Sequence, residues 1–326
     1  MEFLPDFEVK HPATIDEAIV FGNHPSAVFM AGGTDLIPNL RRGVGEPQSI
    51  VNLSGIAELT SITETDKGLR IGGCVTLHQL LSDPRINSDY KVIAQAALTI
   101  AGSTHRFSAT VGGNLCLDTR CQYYNQSEWW RNAKDYCLKY KGDICHVAPK
   151  GNICRAAFSG DLAPAMLLHH AQVELISIEG SRTIDLADLY QEDGANSLLL
   201  HPGELLASVT INKLSGYKTV YRKMRVRGGV DFPLVGVAMA TLGSASHIDD
   251  IRIAYTGTNS QPIRLEGTEV LVGKPLNEAA LKTLRKLLYA QIMPLRSTFT
   301  SSAYRRKVAV NITYRLAKDL LAVSGS

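Results

Sequence analysis

The 326-residue sequence predicts an α+β fold, and three features carry that reading. Short apolar runs of strand length, such as residues 27–31, alternate with segments of helical period, such as 276–289. Two glycine-rich segments, AGGTDL at 31–36 and TVGGN at 110–114, follow or interrupt these runs. Four of the six cysteines fall between Cys121 and Cys154, and this stretch interrupts what otherwise reads as one domain. Cutting it out would bring TVGGN smoothly up to SGD at 159–161, which predicts an insertion.

Bulk properties narrow the class. A net charge of +3 is too small and too evenly spread to mark a nucleic-acid surface. The longest apolar runs, such as LVGVAMATLG at 234–243, fall far short of a membrane span. MEFLPDFEV at the start places acidic residues where a signal peptide needs basic ones, so the expected location is cytoplasmic. There a cysteine cluster favours metal over disulfides. Walker, GxGxxG, HExxH and Ser-His-Asp signatures are absent, so the sequence offers groups that hold ligands rather than acid–base pairs.

Residues 1–55 read as a small α/β unit. Thr14 followed by Glu17 has the capping-box spacing for a helix over 11–22. The strand at 27–31 runs into Gly32-Gly33-Thr34-Asp35 and a short helix, an arrangement that forms an anion nest of backbone N–H groups. An ordinary Gly-Gly turn without a ligand accounts for the same four residues. Residues 56–215, without 115–158, read as a second unit. It contains a hairpin turned at Asp66-Lys67-Gly68, a helix capped by Thr76 and another over 88–98. Residues 101–115 have neither helix nor strand pattern, and a loop so rich in glycine, serine and threonine usually has a use. Asp161 reads as the N-cap of the next helix, whether or not it also touches a ligand. Strands are expected at 172–178 and 204–211. The third unit, 217–326, opens with the basic run Arg222, Lys223, Arg225 and Arg227, either a phosphate contact or a solvated face. Strands follow at 234–243 and 247–258, then helices at 276–289 and 302–322.

Cys121, Cys137, Cys145 and Cys154 suit zinc or an iron–sulfur cluster. Zinc sites usually pair ligands as CxxC, which is missing here, so four separate arrivals favour a [4Fe–4S] cluster while leaving zinc or no metal open. His146 and Cys116 are further candidate ligands, and Cys74 reads as a small core residue. The aromatics Tyr123, Tyr124, Trp129, Trp130, Tyr136 and Tyr140 either shield a metal or face a partner.

Taken together, AGGTDL, TVGGN, GDLAPAML at 160–167 and YRRKVA at 304–309 resemble the medium subunit of the xanthine dehydrogenase family of molybdenum hydroxylases. The resemblance spans essentially the whole chain. It implies a two-part FAD-binding domain with an inserted iron–sulfur loop, followed by a C-terminal α+β domain. The pyrophosphate role falls to Ala31, Gly32, Gly33, Thr34 and Asp35. Contacts along the flavin and phosphates fall to Thr76, Ala101, Ser103, Thr110, Gly113 and Asn114, with Asp161 and Lys223 against the cofactor. Ordinary members lack residues 115–158. That insertion is similar to one in a reductive branch of the family, whose [4Fe–4S] ligands match Cys121, Cys137, Cys145 and Cys154. The resemblance further implies a large subunit with molybdenum–pterin, a small one with two [2Fe–2S] clusters, a doubled αβγ assembly and reduced ferredoxin as donor in aromatic degradation. A zinc-stapled subunit of an oxidative hydroxylase, or a non-redox interaction subunit, shares many of the same motifs.

Overall fold

The computed structural model describes residues 3–296 and 300–322; the remaining parts of the expected first and third units lie outside the described residues. Strands β1 (Glu8–Lys10), β2 (Ala27–Met30) and β3 (Ser49–Asn52) form a parallel sheet in the order β1-β3-β2. Between them run α1 (Ile15–Gly22) and α2 (Leu36–Arg41). Thr14 caps α1 by accepting the Glu17 N–H at 3.2 Å, while the Glu17 carboxylate accepts the Ala13 N–H at 2.8 Å. The parallel connections carry each strand back to the same end of the sheet, where Gly32 and Gly33 follow β2.

The next sheet draws strands from both sides of the cysteine stretch. Strands β4 (Ile62–Thr65) and β5 (Gly68–Gly72) form the expected hairpin, with Gly68 at φ +147° in its turn. They pair in the order β4-β5-β8-β6-β7 with β6 (Gln172–Ser177), β7 (Gly180–Asp185) and β8 (Leu205–Asn212). Helices α3 (Leu77–Ser82), α4 (Pro84–Asp89) and α5 (Lys91–Leu98) lie between the two groups. Thr76 and Gln79 form a full capping box on α3. The helix expected at 88–98 is broken, because Tyr90 takes φ −124° between α4 and α5 and buries its ring in the core. The stretch expected to be irregular carries two short helices, α6 (Ser103–Arg106) and α7 (Val111–Leu115). Glycine weakens the periodic signal of α7, but the Thr110 hydroxyl caps it by accepting the Gly113 N–H at 3.1 Å. Helices α8 (Glu128–Asn132) and α9 (Leu162–Leu168) stand within and after the cysteine stretch.

The last sheet is antiparallel, with β9 (Lys218–Met224), β10 (Val235–Gly243), β11 (Ile248–Thr256) and β12 (Ile263–Arg264) in the order β12-β11-β10-β9. Helices α10 (Glu278–Gln291) and α11 (Ser302–Ala322) bury Leu284, Leu288, Ala309 and Leu316 against it. Strand β9 is an edge, and α5 covers part of it: the Gln95 side-chain oxygen accepts the Tyr221 N–H at 2.7 Å.

Candidate functional site

Two cavities, about 610 and 720 Å³, open on either side of the Gly32-Gly33 turn and share Met30–Thr34, His105 and Thr110. Gly32 is required by close approach, since a Cβ there would stand 1.7 Å from the Ser108 carbonyl oxygen. Gly33 is required by its φ of +66°. The turn therefore keeps bare backbone at the point where the cavities meet. Such a cleft fits a dinucleotide whose pyrophosphate lies on N–H groups and whose two arms run in opposite directions.

Most of the expected ligand residues gather here. Ala31, Gly32, Gly33 and Thr34 line both cavities, as does Thr110. Asp35, Ala101, Gly113, Asn114, Asp161 and Lys223 line the first, and Thr76 the second. Ser103 lines neither; it begins α6 and is exposed. The Asp35 carboxylate is already occupied, bonded to the Arg120 guanidinium and, at 3.0 Å, to the Asn39 amide.

Asp161 corrects the expected capping arrangement. Its side chain makes no cap bond; instead the Asn114 side-chain oxygen, 48 residues earlier, accepts the Leu162 N–H at 2.9 Å. Freed from that task, Asp161 accepts the Tyr221 hydroxyl at 2.5 Å and the Lys223 ammonium at 2.8 Å. The Asp161 and Lys223 side chains are only 4% and 3% exposed, so within the basic run Lys223 belongs to no solvated face. Burial pushes the Asp161 carboxyl up, and the Lys223 charge opposes that shift. Tyr221 escaped sequence reasoning, although its position two residues before Lys223 on one strand places both on one face. Arg120 also escaped it. It meets Asp35 and stacks 4.6 Å from the Phe232 ring, and Phe232 lines the first cavity.

The cysteine stretch packs directly beside this wall. The Cys121 sulfur lies within electrostatic reach of Cys137 and Cys145, and the Cys154 sulfur within reach of Cys145 and Cys121. Burial raises the Cys121 thiol, against the backbone N–H groups of Tyr123 and Tyr124. Burial likewise pushes Cys154 up to about 12, opposed by the Ala156 N–H, 3.4 Å from its sulfur, and by the Lys139 charge. N–H donors aimed at sulfur and nearby cations are the surroundings that a bound thiolate requires. Among the described residues no group of three or more His, Cys, Asp or Glu is set to hold a single metal ion. Four thiolates on one zinc would stand about 3.8 Å apart by tetrahedral geometry, whereas a cluster places its own irons between them. Four cysteines are a donor set that zinc and an iron–sulfur cluster both accept. Cys116 lines the first cavity instead, and Cys74 is a buried core residue at the edge of the second. The His146 Nε2 is engaged with the Tyr136 carbonyl. Of the aromatics, Tyr124 is buried under the Lys139 ammonium, but Trp129 is 78% exposed and shields nothing within this chain.

Two family models cover nearly the whole chain. Residues 5–213 match the FAD binding domain in molybdopterin dehydrogenase, and residues 219–320 match the CO dehydrogenase flavoprotein C-terminal domain. This chain is an FAD-binding medium subunit of the molybdenum hydroxylase family. It is 36% identical over 255 residues to the FAD-binding subunit of an aldehyde oxidoreductase from Escherichia coli (strain K12), covering 75% of this chain and 79% of the relative. With the glyceraldehyde dehydrogenase medium chain of Sulfolobus acidocaldarius the identity is 27% over 319 residues, covering 97% and 99%. In fold, the carbon monoxide dehydrogenase of Hydrogenophaga pseudoflava superposes with a TM-score of 0.78 at 21% identity, covering 96% of each chain. Quinoline 2-oxidoreductase from Pseudomonas putida 86 gives 0.77 at 21%, covering 98% of each. The mixed fold expected from the sequence is thus the fold of this flavoprotein family, and no described helix is long and apolar enough to cross a membrane.

Proposed function

We propose that this medium subunit is an electron-transfer protein holding FAD in the paired cavities and a [4Fe–4S] cluster on Cys121, Cys137, Cys145 and Cys154. The observation that supports this most is the convergence of those four cysteines beside the wall of the flavin cavity. The enzyme type that fits such a subunit is 4-hydroxybenzoyl-CoA reductase. There the thioester takes up two electrons and two protons, giving benzoyl-CoA and water. Two molecules of reduced ferredoxin supply the electrons, in the cytoplasm, during aromatic degradation. The reacting ring belongs to a large molybdenum–pterin subunit, and a small subunit carries two [2Fe–2S] clusters, in a doubled αβγ assembly. When bound, flavin supplies chemistry that accepts electrons singly or in pairs.

This chain's own residues do the holding. Gly32 and Gly33 leave backbone N–H groups open to the pyrophosphate, and Thr34, Thr76 and Thr110 add hydroxyls around it. Ala101, Gly113 and Asn114 add to the wall of the first cavity, and the exposed Ser103 would reach the ligand from the start of α6. The Asp161–Lys223 pair presents a fixed, water-poor electrostatic surface to the flavin side.

A second reading keeps both cofactors and reverses the flow, with an aldehyde oxidised on the large subunit. The similarity to an aldehyde oxidoreductase at 36% and to a glyceraldehyde dehydrogenase at 27% favours it. The test is anaerobic purification of the complex, with flavin, iron, sulfide and zinc measured together. Benzoyl-CoA is then assayed with reduced ferredoxin and 4-hydroxybenzoyl-CoA, and flavin bleaching with aldehydes. Cys137→Ser should remove about four irons and spare FAD. Zinc without iron, or full iron in Cys137→Ser, would sink the cluster assignment. Bleaching by aldehyde with no benzoyl-CoA formed would select the second reading.

A further inference from the structure

The cysteine stretch buries a cation that holding a cluster does not by itself explain. The Lys139 side chain is 4% exposed. Its ammonium donates to the Asp118 carboxylate at 2.6 Å, to the Gly194 carbonyl at 2.9 Å and to the Thr119 hydroxyl, and it lies 4.4 Å from the centre of the Tyr124 ring. These partners sit at the cysteines. Thr119 stands two residues before Cys121, Lys139 two after Cys137, and the Gly194 N–H donates to the Cys154 carbonyl at 2.8 Å. Asp118 also lines the first cavity. Lys139 therefore bonds the cysteine stretch to the flavin wall through one carboxylate, itself 38% exposed.

A buried charge costs free energy unless something uses or compensates it. Here water reaches Asp118 and weakens its half of the pair, while the ammonium stands within electrostatic reach of the Cys154 sulfur. A redox centre on four thiolates gains negative charge on reduction, and a nearby fixed cation stabilises the reduced form. We infer that Lys139 is a positioning residue that raises the midpoint potential of the centre held by the four cysteines, with Asp118 as the opposing charge that trims it. The inference rests on the cluster reading given above.

Lys139→Gln and Asp118→Asn must then shift that potential in opposite directions. The measurement is potentiometric titration of the anaerobically purified complex, followed by the electron spin resonance of the reduced cluster, with iron and sulfide counted in each sample. Lys139→Gln should lower the reduced-to-oxidised ratio at fixed potential about tenfold, ~59 mV for a one-electron couple. Lys139→Arg, which keeps the charge, should restore most of it, and Asp118→Asn should move the ratio upward. An unchanged potential in iron-loaded Lys139→Gln overturns the inference. If that variant takes up no iron, Asp118→Asn decides: an unmoved or lowered potential overturns it. Absence of iron from the unmutated protein would instead overturn the cluster reading, and the inference with it.

Discussion

The cavity proposed for flavin and the cysteine stretch touch along one wall, yet they are built from opposite materials. The cavity is made of backbone kept bare, at Gly32 and Gly33, with Gly113 beside it. The cysteine stretch is made of buried cations bonded to carbonyl oxygens. Arg131, 1% exposed, donates to the carbonyls of Arg42 and Gly43 in the N-terminal unit at 2.9 and 2.8 Å, and to Gln126 in its own loop at 2.6 Å. Lys139 does the same toward Thr119 and Gly194. A bare backbone suits a large anionic ligand that brings its own charge. A segment with few apolar side chains to bury is instead fixed by charge-assisted hydrogen bonds, each about twice as strong as a neutral one.

That contrast predicts a double dissociation. The largest effect belongs to Gly32→Ala, whose Cβ must displace the Ser108 carbonyl. We expect stability to fall by about 3 kcal/mol and FAD to be lost, with iron retained in whatever protein folds. Flavin and iron counts on the same purified sample check this. Full FAD occupancy in Gly32→Ala would show that the turn is not where the ligand sits.

Arg131→Met tests the other material. Methionine fills part of the space but leaves at least two carbonyl oxygens in the loop and the N-terminal unit without their donor, each costing ~1–3 kcal/mol. The expected result is faster proteolysis and faster amide exchange confined to residues 121–154 and the Arg42-Gly43 segment they are bonded to, with FAD affinity unchanged within about twofold. Exchange that speeds up equally throughout the sheets would mean that the loop is part of the global fold rather than an attachment to it.

The same contrast explains what the sequence made legible. Gly33 is legible because its reason is local: a positive φ needs glycine wherever the rest of the chain goes, whereas the need for Gly32 comes from Ser108, far along the chain. Thr14 and Thr76 were readable as caps for the same reason, since their partners lie three residues away. The four cysteines stood out by number and position, but their convergence depends on how the loop folds. Asp161 misled because the local rule for a helix start was met by Asn114 from far along the chain. Tyr90 could not be read as a break, since its pattern continues the helix and only burial of its ring interrupts it. Least visible were Arg120, Arg131 and Lys139. In sequence they look like ordinary surface cations, and only the tertiary structure supplies the partners that bury them: carbonyls for Arg131 and Lys139, the Asp35 carboxylate and the Phe232 ring for Arg120.

The smallest expected effect lies where the two materials meet. Arg120 precedes the first cysteine, yet its guanidinium is bonded to Asp35 after the Gly-Gly turn and stacked on Phe232 at the cavity mouth. Lysine keeps the charge but cannot hold a planar fork and a stack together. Arg120→Lys should therefore weaken FAD binding about fivefold, ~1 kcal/mol, with the iron count unchanged. Titrating flavin-depleted protein with FAD and following flavin fluorescence measures this directly. No change in affinity would make the cavity and the cysteine stretch separate sites that share only a wall. Loss of iron together with FAD would make Arg120 a joint on which both sites depend, so that the division between bare backbone and buried cation would hold in composition but fail in energy.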